Sequence, residues 1–151
     1  MDETAFRGVR DAMTPLPCAF EKAMLAGVCA CALATRRNIA EREAIACGST
    51  AARAACAALR ALLQRNSAFA LKLTQTDAPL PHAKQMKLEC GGLQGLAKAL
   101  AAAANCAPTL ADVHQLVRAS AEKFGGLENL PYSLIVQSVA ACQIRRRQTQ
   151  S

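Results

Sequence analysis

The chain has 151 residues, a formal net charge of +7, eight cysteines, no tryptophan and an apolar fraction of 52% with only 3% aromatic residues. That length suits one domain with a real core, and the small-residue, aromatic-poor composition argues against a large sheet, which draws on β-branched and aromatic side chains. No apolar h-region and no run of ~20 apolar residues suited to a membrane helix is found, so the expectation is a cytoplasmic protein with reduced thiols and no membrane partner.

Residues 1–17 read as a partly ordered lead-in, with one helical turn over 5–13 closed by Pro15 and Pro17. A single helical domain is expected over 18–147, and a frayed tail over 148–151. The stretch 18–47 carries four of the cysteines and no proline, and it is expected to be the longest helix. Helical arithmetic then sets Cys29 and Cys31 about 200° apart and separates Cys18 from Cys47 by on the order of 40 Å. On that reading Cys18 and Cys47 cannot share a site. The charges Arg36, Arg37, Glu41, Arg42 and Glu43 fall all round this expected helix, with Arg37 and Glu41 spaced to pair.

Gly48, Ser49 and Thr50 form a stop and a restart, and a second helix is expected over 51–74. The prolyl turn 76–81 separates it from a third helix over 82–105, interrupted by Gly91 and Gly92. Those adjacent glycines cost on the order of 1 kcal/mol each in a helix. They have two readings: a neighbouring helix packs backbone to backbone there, or main-chain amides approach a group bound at Cys90. A fourth helix over 110–124 ends at Gly125 and Gly126, and a fifth over 132–147 enters through Pro131. The expected fold is therefore all-α, an up-and-down bundle of about five helices.

Pro15-Leu16-Pro17-Cys18 is echoed by Pro79-Leu80-Pro81-His82, which sets Cys18 and His82 at equivalent helix starts. With alternating helix directions, Cys18, Cys29, Cys31, Cys90 and Cys142 fall in an upper group together with His82, whereas Cys47, Cys56 and Cys106 fall in a lower one. Each cysteine singly reads as an ordinary small core residue. Eight of them in an alanine-rich core invite a functional reading.

That reading is a metal or iron-sulfur centre, with Cys18, Cys29, Cys31, Cys90 and Cys142 as the ligand candidates and His82, Gly91 and Gly92 supporting the bound group. Soft sulfur ligands select iron-sulfur clusters, zinc or Cu(I). The spacing, C-x10-C-x-C at 18–31, matches none of the usual zinc or ferredoxin patterns. The alternative is a helical adaptor that engages a protein partner and uses its cysteines as core. A thiol enzyme with Cys18 as nucleophile and His82 or His114 as base ranks last, since no local nucleophile motif accompanies them. Arg145, Arg146 and Arg147 form a basic tail, but the scarcity of stacking aromatics counts against nucleic acid.

Overall fold

The computed structural model describes residues 16–39, 42–105 and 112–143. The fold is mostly helical but mixed, not all-α, because a two-stranded antiparallel sheet takes the C-terminal part of the stretch 18–47 where one long helix is expected. Only Glu21–Leu25, here α1, is helical in that stretch. Gly27 follows it at φ +76°, with open space where a side chain would be, and turns the chain out of the helix.

Strands β1 (Ala34–Ile39) and β2 (Arg42–Cys47) then pair from Ala34 opposite Cys47 to Ile39 opposite Arg42. The physical reason lies in the charges that no helix face could segregate. In the hairpin, Thr35 to Asn38 face solvent, and Arg36 reaches diagonally across to Glu43 at 2.6 Å. Ala44, Ile45 and Ala46 of β2 are buried, with Ile45 fully enclosed in the main core. Residues 40 and 41 lie outside the described residues, and with them the expected Arg37–Glu41 pair.

The segment before α1 extends this sheet. Cys18 N–H donates to Ile45 O at 2.8 Å and Cys47 N–H donates to Leu16 O at 2.7 Å, flanking a bridge between Pro17 and Ala46. Helix α2 (Thr50–Asn66) starts where the sequence indicates, with the Ser49 hydroxyl accepting from Ala52 N–H at 3.2 Å. It ends eight residues earlier than expected, and Lys72 takes a left-handed φ of 55° in the irregular segment that follows.

Helix α3 (His82–Met86) runs through a π turn (Lys87–Gly91) into α4 (Gly92–Ala104), so 82–104 is one rod with a local widening. Asn105, left-handed at φ 55°, ends it. Helix α5 (Val113–Phe124) is capped by Asp112, whose carboxylate accepts from His114 and Gln115 N–H, and is closed by Gly125 at φ 79°. After a 3-10 turn, α6 (Tyr132–Ala141) enters through Pro131 and stops short of the expected 147. The arginine tail, Cys106 and the helical turn expected over 5–13 lie outside the described residues.

The core is built where α2, the rod and α6 meet: Leu59 and Leu63, Leu88, Leu93 and Leu96, and Ile135 and Val139 are fully buried together with Phe20 and Ile45. At each such position a leucine or isoleucine contributes roughly 2 kcal/mol by leaving water. Gly91 and Gly95 allow the rod to lie against α6 at backbone distance. A Cβ on Gly91 would stand 2.7 Å from Val139 Cα, and one on Gly95 would stand 2.8 Å from Ile135 O. Of the two readings of the glycines, close helix packing is the one seen. Among the described residues, no helix is long and apolar enough to cross a membrane.

Candidate thiol site

Four separate segments carry a cysteine to one place. Cys18 comes from the strand-like segment beside β2, and Cys31 from the link between α1 and β1. Cys47 is the last residue of β2, and Cys56 lies on the second turn of α2. Together they line a cavity of about 20 Å³, whose other walls are aliphatic apart from Arg53 and His114. Such a volume holds about one atom-sized occupant.

The local structure explains the convergence. Ala34 N–H donates to Cys31 O at 3.1 Å, and Ala34 pairs with Cys47 across the hairpin, so the start of β1 holds Cys31 near the end of β2. Gly48 N–H closes the same corner by donating to Leu33 O at 2.8 Å. Helix α5 is tied in by Val113 N–H, which donates to Ala30 O at 2.9 Å and brings His114 to the rim. The Cys47 thiol is 3.3 Å from Ser49 O, within reach of a weak S–H donation.

Burial governs the ionisation of two of these thiols, Cys18 and Cys56. It pushes the Cys18 thiol up to about 11, opposed by the Phe20 backbone N–H and reinforced by Cys31, Cys47 and Glu89. Cys56 is pushed up to about 12, again by burial first and then by Cys18, Cys31 and Cys47. Neighbouring thiolates therefore make those of Cys18 and Cys56 harder to form unless a cation enters with them. The same values remove the basis for Cys18 as a low-pKa nucleophile: it is not a helix cap, and its thiol is held protonated at neutral pH.

The sequence-derived ligand set is only partly gathered here. Cys18 and Cys31 are in the chamber. Cys29 is half-buried, and burial first, then Cys18, Cys90, Glu89 and Cys31, raises it to about 12. Cys90 and Cys142 belong to the seam between the rod and α6, where burial first and then Cys142 raises Cys90 to about 11. Burial also raises Cys142, against the opposing charge of Lys87. The space a Gly91 Cβ would take is 3.0 Å from Cys142 Cβ, and the equivalent space at Gly92 is 2.9 Å from Leu63 Cδ1, so both glycines serve packing. His82 is exposed at the start of α3 and does not line the chamber.

Cys47 and Cys56 are the residues that sequence reasoning misplaced. Their group changes because the hairpin folds Cys47 back to Cys18. Among the described residues, no three His, Cys, Asp or Glu side chains stand close enough to hold a metal ion as they are. All seven described cysteines are free thiols. Comparison with models of protein families, with curated proteins and with solved structures finds no match to this chain.

Proposed function

We propose that the chain binds one soft metal ion through Cys18, Cys31, Cys47 and Cys56, the ion entering the small chamber as the thiols lose their protons. The observation that carries this reading is the convergence of four thiols from four segments on one cavity of about 20 Å³. Rotation of the cysteine side chains toward the cavity is required to reach a metal-sulfur distance of about 2.3 Å. Zinc and Cu(I) match soft sulfur donors and the size of the chamber. An iron-sulfur cluster needs the chamber to open further, which makes it the less suited of the three cofactors considered.

The test is anaerobic purification followed by elemental and acid-labile sulfide analysis, then titration of the metal-free chain with Zn2+ and Cu(I). About one equivalent of zinc or copper per chain, displaced by stronger thiophilic ions, is expected. A chain that retains no metal and takes up neither ion overturns the reading. Iron with stoichiometric sulfide overturns the single-ion form and favours a cluster.

A second reading, a protein-interaction module, has its own observation in Phe69, which is 98% exposed. Under it, replacement of the four chamber cysteines by Ala leaves partner capture intact and Phe69→Ser abolishes it.

A further inference from the structure

Next to the chamber, and sharing Cys18 with it, lies a second, much larger feature. A cleft of about 670 Å³ opens between α1, α2 and the prolyl segment 76–80, with Cys18, Ala19 and Arg53 shared between its wall and that of the chamber. The volume falls within the range of about 300–1,000 Å³ typical of small-molecule sites.

Its floor is one stripe of α2. Arg53, Ala57, Arg60 and Gln64 recur at helical spacing, so that alanine keeps the floor low between two guanidinium groups. Arg65 and Lys22 add two further cations, and neither side chain has a hydrogen-bond or ion-pair partner among the described residues. Arg53 spends only its Nε, which donates to Pro17 O at 3.1 Å.

Two of the three carboxylates that line the cleft are already engaged. Glu89 is buried and accepts from Lys22 N–H at 3.0 Å, Ala23 N–H at 3.3 Å and Arg60 Nε at 3.3 Å. Glu21 accepts from Ile45 N–H at 2.9 Å. Asp77, exposed on the prolyl segment, is the one cleft carboxylate without a partner among the described residues. Four cations line the cleft against three carboxylates, a net charge of +1, and with Arg60 Nε paired to Glu89 the donors left for a ligand, on Lys22, Arg53, Arg65 and the remaining guanidinium edge of Arg60, suit planar or tetrahedral oxyanions.

We infer that this cleft binds a small molecule bearing phosphate or several carboxylate groups, held by Arg53, Arg60, Arg65 and Lys22. The site stands whether or not the thiol chamber takes a metal, since none of these cations is a proposed ligand.

The experiment titrates the intact, metal-free chain with pyrophosphate and, separately, with citrate, following backbone amide shifts in 1H–15N spectra. Saturable shifts confined to 17–22, 53–65 and 76–80, weakening as salt is raised, are expected for at least one probe; shifts with pyrophosphate alone assign phosphate, and with citrate alone carboxylate. Lys22→Gln with Arg65→Gln should weaken that binding about tenfold or more, because charge-assisted hydrogen bonds are lost. Asp77→Asn should tighten it two- to threefold, a gain that misfolding cannot produce. No saturable shift with either probe up to ten millimolar, or an affinity unchanged by both sets of substitutions, overturns the inference.

Discussion

Cysteines gather in two places in this fold, and the two differ in what brings them together. At the seam between the rod and α6, Cys90 and Cys142 meet because Gly91 and Gly95 let two backbones touch. Sulfur there fills the space beside a contact that glycine makes. In the chamber the strand-like edge, the link before β1, the end of β2 and the second turn of α2 each deliver one cysteine to a common cavity, and the close glycine contact there, Gly48 against Leu33 O, closes a hairpin corner rather than packing two helices. Proximity of thiols is thus a by-product in the first place and the result of the topology in the second.

The largest effect is expected at the seam. Gly91→Val drives a branched side chain into the Val139 backbone, which cannot retreat as a flexible side chain can, and should cost about 3 kcal/mol in chemical denaturation. A loss under 1 kcal/mol would show that the helices are not held at backbone distance.

Thiol chemistry then separates the two regions. With the thiol of Cys18 at about 11 and that of Cys90 at about 11, both should be alkylated at pH 8 roughly two orders of magnitude more slowly than an ordinary thiol of pKa ~8.5. Zn2+ should slow Cys18 further and leave Cys90 unchanged, as read by mass spectrometry of the labelled peptides. Equal protection of both would erase the distinction.

A smaller effect is expected at the carboxylate that joins the regions. Glu89, in the π turn just before the seam, accepts from the start of α1 and from Arg60. Arg60→Leu leaves that buried carboxylate without its cation and should cost about 2 kcal/mol at neutral pH. Burial raises the Glu89 carboxyl above its ordinary value of 4.5 despite Arg60 and the two N–H donors. The folded chain therefore holds this proton more tightly than the unfolded one. Its contribution to stability falls as pH rises from 4.5 through the folded value, and returns as pH is lowered again. Glu89→Gln should flatten that part of the stability-pH curve; an unchanged curve would assign the slope to other groups.

Much of the helical half is legible in the sequence because its signals are local. Ser49 caps α2, the rod runs from His82 to Ala104, Gly125 closes α5 and Pro131 opens α6, each where the residue type indicates. The hairpin is not legible in the same way. Its alanines and cysteines carry no period, its pairing is non-local, and the charges spread round 36–43 fitted a helix poorly without naming a turn. Thr35, Ile39 and Ile45 were its β-branched signal. The site inherits that difficulty: Cys18 and Cys31 stand out in the sequence as candidates, whereas a helix over 18–47, which the chain does not form, would carry Cys47 and Cys56 to the far end.

The most direct measurement of the central claim is an anaerobic Co2+ titration followed by absorption, run on the chain and on two variants. A sulfur-to-cobalt charge-transfer band saturating at about one equivalent, lost in Cys47→Ser and retained in Cys90→Ser, is the predicted result. No band in the unmodified chain, or a band that survives Cys47→Ser and disappears with Cys90→Ser, would contradict it.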